Sequence, residues 1–391
     1  MEGNETSWLL TNITGNNSLH LHNQTQTLNP IYVFTPAGVL VKRVLCFFLW
    51  TVGAMGFLGN CFIQYFLWQK PATNPVHSNR FMKNLYVYGK SLSLSDLLSC
   101  AISVPLLCIQ ISFDIFQRSW ACKIVRYFNF IFPTITMNNL VVLSVEKYLS
   151  TRTVPRTCGV STVRKMIICA WVLGLVVMMF PAAAYDGVSV HVNNTHFTII
   201  CRNDETFYPF KITLIIFPLQ YVLPSVFVTY INICLLKTVW DRGRGRVKNG
   251  MKNAFQAHLR AVRIKGTILL IALTFAFIIP YFFFIANTAY TQIAKPQREF
   301  STDYVTRYGT AAIVYSNAFV NFIIYFAQMK DFRVFLKKFF CRQKNDIHQP
   351  EILAGERNAI GLALKPRQDI ARIQDIRMER KEAKNVQDVE L

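Results

Sequence analysis

Few charges interrupt the long apolar stretches of this chain, so each one is a candidate for chemistry. The deepest is Asp96, in the run Ser-Leu-Ser-Leu-Ser-Asp-Leu-Leu-Ser-Cys. An ionisable group in such surroundings is costly and marks a functional site by default. Amides and hydroxyls able to surround it occur on other apolar stretches: Asn60, Thr136, Asn138 or Asn139, Asn317 and Asn321. A carboxylate ringed by amide and hydroxyl oxygens can hold a small hard cation or a proton. Protonated, the same residue could do no more than hydrogen-bond its neighbours, and residue types alone do not choose between the two. A second charged feature, Glu146-Lys147, ends an apolar run where it meets polar sequence. It reads either as a solvated helix end or as part of a switch.

The elements that must position these groups follow from composition. The 391 residues are 52% hydrophobic and only 16% charged, whereas soluble domains are about a quarter charged. The apolar residues sit in blocks, and about 20 of them span the roughly 30 Å hydrocarbon core of a bilayer as a helix. Seven such blocks are legible: 44–69, 91–113, 127–145, 166–185, 212–236, 266–294 and 308–329. Lipid offers no partners to exposed backbone groups, so each is expected to be helical. The fold expected is an all-α membrane protein, a seven-transmembrane helix bundle.

The net charge of +21 is uneven. With the N-terminus outside, the third inner loop, 237–265, holds nine Lys or Arg and one acid, Asp241, while the outer loops mix signs. That bias orients the chain with the N-terminus out and the C-terminus in. The basic clusters sit at membrane boundaries, which fits anionic lipid and argues against nucleic acid. Sequons at Asn4, Asn12, Asn16 and Asn23, and a fifth at Asn193, support an outside N-terminus as glycosylation sites. The start lacks the apolar core of a cleavable signal peptide, so the first span is expected to act as the insertion signal. Of ten cysteines, Cys122 and Cys201 face the oxidising side, either as a disulfide or as two free thiols.

Together these residues resemble the rhodopsin-like (class A) G-protein-coupled receptors, over about residues 40–341. The resemblance is carried by Gly59-Asn60, by Asp96 in Leu-Ser-Leu-Ser-Asp-Leu-Leu, by Trp171 followed by Pro181, by Pro224 and Pro280, and by Asn321-Phe322-Ile323-Ile324-Tyr325. The run Met329–Cys341 resembles the short amphipathic helix of the inner membrane face, with Cys341 as a palmitoylation site. The resemblance implies a Cys122–Cys201 disulfide. It also implies an allosteric sodium ion at Asp96, Thr136, Asn317 and Asn321. An Asp/Glu-Arg-Tyr triplet closes the third span in the family; here it reads Glu146-Lys147-Tyr148, which implies that Lys147 is the inner-face switch and Glu146 its resting partner. Pro280 and Tyr325 join that switch set.

Departures matter. Lysine is a compact point charge and lacks arginine's planar five-donor fork, so coupling through Lys147 is expected to be weaker or differently selective. Phe322 replaces the seventh-span proline, which predicts a milder kink. Ile278 stands at the tryptophan toggle. The resemblance places a ligand from outside among spans three, five, six and seven, near Arg126, Asn129, Ile278 and Tyr315. Asn129 stands where amine receptors carry Asp, and Tyr315 where opsins carry lysine, so neither ligand class is expected. Arg126 could meet a carboxylate or pair with an acid of an outer loop. A peptide is favoured, with a lipid or small acid next. A heterotrimeric G protein is the inner partner.

An enzyme is not expected: all seven His lie outside the spans. A transporter would show paired repeats with broken helices, and none is visible. The chain therefore divides into a glycosylated extracellular segment, 1–43, the bundle, 44–329, a membrane-surface helix, 330–341, and a cytoplasmic tail, 342–391, with the plasma membrane as location. The tail contains no Ser, Thr or Tyr, so tail phosphorylation is not expected to drive desensitisation. Its closing Val389-Glu390-Leu391 resembles a PDZ ligand.

Overall fold

The computed structural model describes residues 30–69, 80–151, 157–193, 195–204, 210–248, 254–294 and 298–341. Asn4, Asn12, Asn16, Asn23 and the tail from residue 342 lie outside the described residues. Seven segments are long and apolar enough to cross a membrane: Val39–Gln69, Lys83–Ser112, Ser119–Thr151, Val160–Ala183, Leu219–Thr238, Ile264–Thr291 and Phe300–Gln328. The expected seven-helix bundle is the one observed.

The elements run as follows. After the short strand β1 (Ile31–Tyr32) come helices α1 (Val39–Gln69) and α2 (Arg80–Leu98). A π-turn, Ser99–Ser103, leads into α3 (Val104–Ser112), and α4 (Ser119–Thr151) follows. Next are α5 (Val160–Val177), α6 (Met179–Ala183), β2 (Tyr185–Asn193), β3 (His196–Asn203), α7 (Phe210–Lys248) and α8 (Ala254–Ala294). The last three are α9 (Phe300–Tyr315), α10 (Asn317–Gln328) and α11 (Lys330–Cys341).

Helix α4 is the axis of the bundle. Its span is 78% buried, against 28–56% for the other six, and it packs on α2, α5, α7 and α8. Close approach is achieved with glycine. A Cβ on Gly174 of α5 would lie 2.7 Å from Ile135 of α4, and one on Gly59 of α1 would lie 2.7 Å from Cβ of Phe322.

One sequence expectation is corrected, and two features appear that the sequence reading did not predict. The stretch 237–265, read as a loop, is largely helix, because α7 runs on to Lys248 and α8 begins at Ala254. Hydropathy marks only the part of a helix that meets lipid, and Lys and Arg are good helix formers in water. The seventh span is interrupted between α9 and α10 at Ser316, six residues before Phe322, and Ser316 Oγ donates to the Ile313 carbonyl at 2.6 Å. The second outer loop is a β-hairpin, β2 antiparallel to β3, onto which β1 adds in parallel to make the sheet order β1-β3-β2. Alternating β-branched residues in Val188-Ser189-Val190-His191-Val192 carry that strand signal.

The hairpin is fixed to the bundle by the disulfide Cys122–Cys201, with Cα atoms 5.4 Å apart. The end that carries it is called the disulfide end. At the opposite end α11 lies across the helices, burying Phe332 and Leu336 while Phe339, Phe340 and Cys341 stay exposed. Phe332 sets its ring against Phe66, centroids 5.1 Å apart.

Candidate functional site

Three sites lie along α4. At the disulfide end a vestibule of about 660 Å3 is lined by Pro36, residues of the hairpin and α9, and the charged side chains Arg202, Arg298, Glu299, Asp303 and Arg307. It shares Arg202, Thr291, Asp303 and Arg307 with a neck of about 80 Å3 below it. The neck in turn shares Arg126, Phe130 and Phe284 with a deep cavity of about 40 Å3, completed by Asn129, Tyr221, Tyr281 and Tyr315. Three arginines and one aspartate line the neck, and Asp303 already pairs with Arg307 at 3.0 Å.

Arg126 does not pair with a loop acid among the described residues. The disulfide draws β3 onto α4, so Arg126 Nη2 donates to the Cys201 carbonyl at 3.2 Å and Nε reaches Cys201 Sγ at 3.3 Å. Its guanidinium also lies over the Tyr185 ring, 5.2 Å from the centroid. One turn further along α4, Asn129 Oδ1 accepts from Tyr315 Oη at 3.2 Å, and its Nδ2 is buried without a partner.

The second site surrounds Asp96, in a cavity of about 10 Å3 lined by Asn60, Ser93, Asp96, Thr136, Phe277, Asn321 and Tyr325 among others. Asn321 Nδ2 donates to Asp96 Oδ2 at 2.6 Å, and Ser95 Oγ and Thr136 Oγ1 are 2.7 Å apart. Asn60 Oδ1, Asn317 Oδ1 and Asn321 Oδ1 are buried oxygens without donors. Of these, Asn60 and Asn321 line the cavity, and one carboxylate with two free amide oxygens and the Thr136 hydroxyl is a donor set that suits a small hard cation. Asn317 is buried but is not part of the wall of this cavity, whereas Asp96, Thr136 and Asn321 are.

The third site is the pair at the far end of α4. Lys147 Nζ lies 2.9 Å from Glu146 Oε2, and both side chains are 0% exposed. Asn84 Nδ2 donates to Glu146 Oε1 at 2.8 Å and to the Cys158 carbonyl at 3.1 Å, so the pair ties α2 and the segment before α5 to α4. This is not a solvated helix end.

A helix bundle with a disulfide-tethered hairpin at one end and a buried ion pair at the other has a counterpart among known proteins. The family of 7 transmembrane receptors (rhodopsin family) matches residues 75–325, well over half of the chain. The chain belongs to the rhodopsin family of seven-transmembrane receptors. The allatostatin-A receptor of Bombyx mori is 22% identical over 314 residues, 77% of this chain and 81% of that receptor. Probable G-protein coupled receptor 19 of Homo sapiens is 25% identical over 219 residues, 54% of this chain and 48% of that protein. The crystal structure of squid rhodopsin shares the fold, with TM-score 0.62 and 16% identity over 84% of this chain and 88% of that one. The protein is thus a multi-pass membrane receptor of the G-protein-coupled class, and not an enzyme.

In this rhodopsin-family receptor the toggle region differs from expectation. Ile278 lines none of the four cavities; it packs against the core from its edge. The inward positions of α8 belong to Phe277, which walls the Asp96 cavity, and Tyr281, which walls the deep ligand-side cavity. Their rings stack with centroids 4.3 Å apart, and Tyr281 stacks on Tyr221 at 5.6 Å. Pro280 lies within α8, between them. Tyr325 is buried in the Asp96 wall, and Tyr148 is half-buried beside Lys147. Sequence reasoning missed Asn84, Phe277, Tyr281 and Tyr221. Leu270, Leu273, Phe277 and Tyr281 recur every three or four residues, and that spacing was the available signal for the two aromatic residues of α8.

Proposed function

We propose that this receptor sits in the plasma membrane with its N-terminus and disulfide end outside, binds an extracellular peptide there, and activates a heterotrimeric G protein at the opposite end. The observation that carries the reading is that one buried helix, α4, holds both the cavity residues Arg126 and Asn129 and the ion pair Glu146–Lys147. At 1.5 Å per residue, 21 residues separate them by about 30 Å. A rigid element that contacts ligand at one end and a lock at the other can bias two packings of the bundle, provided ligand affinity differs between them. The vestibule volume and its mixed charge favour a peptide over a lipid, and the relative named as a receptor for allatostatin-A is consistent with that.

In this reading the oxygens around Asp96 hold a sodium ion that stabilises the resting packing. Cys341, exposed beside Phe339 and Phe340, carries a palmitoyl chain, and Asn193, at the hairpin tip, carries a glycan. The compact charge of Lys147 damps coupling.

The test is G-protein nucleotide exchange in membranes holding the parent, Lys147→Arg and Lys147→Ala. We expect Lys147→Arg to raise exchange and Lys147→Ala to lower it. Exchange by Lys147→Ala equal to the parent removes Lys147 from the switch.

A further inference from the structure

We infer that Arg126 and Asn129 form an anchor for a ligand carboxylate, so that the natural ligand enters with a free acid at its tip. The inference deepens the receptor reading and rests on it. Arg126 has Nε and Nη2 committed to Cys201, while Nη1 has no hydrogen-bond partner among the described residues. Asn129, 8% exposed, lines the same deep cavity, and its buried Nδ2 has no partner. Positions three apart on a helix share a face, so a guanidinium and an amide, both donors, converge from one side. Nothing acidic lines that cavity.

A buried donor left unmade is costly. Asn129 Nδ2 is such a donor; beside the open Nη1 of half-buried Arg126 it calls for an acceptor, and a carboxylate supplies two oxygens in a geometry that arginine matches. Size agrees. At roughly 10–15 Å3 per water, 40 Å3 holds about three waters or one carboxylate. The body of the ligand then lies upward between Phe130 and Phe284, which wall both the deep cavity and the neck. The neck arginines Arg202 and Arg307 outnumber its single acid and draw an anion inward.

The shared chemistry is a carboxylate on an apolar or aromatic body, either a peptide C-terminus or a small organic acid. Binding to the full-length receptor in nanodiscs, without G protein, is measured by saturation-transfer NMR with four probes: glycyl-phenylalanine, its C-terminal amide, 3-phenylpropionate and 3-phenylpropionamide. At least one acid should bind tenfold or more tightly than its amide. Arg126→Gln should erase that preference, and Arg126→Lys should keep part of it. Preference confined to the dipeptide identifies a peptide terminus, and preference confined to phenylpropionate identifies a small acid; both support the anchor.

Equal binding of acid and amide, absence of acid binding, or an acid preference that survives in folded Arg126→Gln overturns it. The acid-against-amide comparison needs no variant, so misfolding of Arg126→Gln does not rescue the idea. Acid-selective binding by a receptor that never stimulates exchange sinks the coupling reading and leaves the anchor. Intact ligand-stimulated exchange without acid selectivity does the reverse.

Discussion

Glu146 and Lys147 are adjacent in sequence yet meet as an ion pair, Nζ to Oε2 at 2.9 Å, in a place that water does not reach. Neighbouring residues on a helix do not face each other, so the contact is made only by the far ends of the two side chains. The contact is ionic and lacks good hydrogen-bond geometry, whereas Oε1 is held by Asn84. Removing one member of such a pair leaves the other as a buried charge, at about 3–5 kcal/mol. Glu146→Gln therefore drives Lys147 toward the solvent at the end of α4. If even about 1 kcal/mol of that appears as a bias between packings, the equilibrium moves about fivefold. Agonist-independent nucleotide exchange should rise by about that factor. An unchanged basal rate would show that the pair is structural.

The oxygens around Asp96 predict a sodium-dependent stability. A site loaded to about ten times its dissociation constant contributes about 1.4 kcal/mol, a few degrees of melting temperature in a protein of this size. The receptor in sodium chloride should melt that much higher than in choline chloride at equal ionic strength. Asp96→Asn should abolish the difference while folding normally, since Asn321 can still bond an amide oxygen there. A sodium effect that survives in Asp96→Asn would place the ion elsewhere.

The seven spans and the placement of Thr136 and Asn321 beside Asp96, though not of Asn317, were legible because they rest on strong local costs: exposed backbone in lipid, and a charge in apolar surroundings. The hairpin and the toggle were not read, for different reasons. Ile278 was placed by its offset from Pro280 alone, whereas a helix turns about 100° per residue and carries Phe277 and Tyr281 inward together. The partner of Arg126 could not be read at all, since it depends on the disulfide bringing the Cys201 carbonyl onto α4. Such contacts are made by tertiary geometry and leave no periodic trace.

Phe322, in the place of the family's proline, is accommodated by Gly59. A Cβ added at Gly59 would meet Phe322 Cβ at 2.7 Å and Cγ at 2.8 Å, and overpacking of this kind costs about 1–3 kcal/mol. Gly59→Ala should lower the melting temperature, and Phe322→Ala alone should lower it through a lost ring contact with Phe332, centroids 5.8 Å apart. Phe322→Ala keeps the Cβ at 2.7 Å and removes only the ring atoms at 2.8 and 3.2 Å, so the double variant should lose less than the sum by only about 0.5 kcal/mol. Strict additivity in the unfolding cycle would mean that α1 and α10 move apart freely.

The segment before α1 forms a strap across the disulfide end. Ile31 N–H donates to the Thr195 carbonyl and Val33 N–H to the Phe197 carbonyl, each at 2.8 Å. Thr35 N–H reaches Thr198 Oγ1 at 3.3 Å, and Pro36 walls the vestibule. Tyr32 pins the strap from above, its hydroxyl donating to the Asp114 carboxylate, which also accepts from Gln117 Nε2 at 2.7 Å. Partial burial first, and the Asp114 contact second, push the Tyr32 phenol up to about 12. Its folded-state value lies above the usual phenol value of 10, so this contribution is complete below pH 10 and is lost as pH rises through about 12. At physiological pH the pin is intact, and a part-exposed bond to a carboxylate contributes about 1 kcal/mol. Tyr32→Phe should therefore speed amide exchange of the 30–38 segment about fivefold by mass spectrometry. The ratio to the parent should be the same at pH 6 and pH 8, because Tyr32 does not titrate between them. Since Pro36 moves with the strap, ligand association should speed up as well. Faster exchange without faster association would mean that the strap decorates the vestibule and does not gate it.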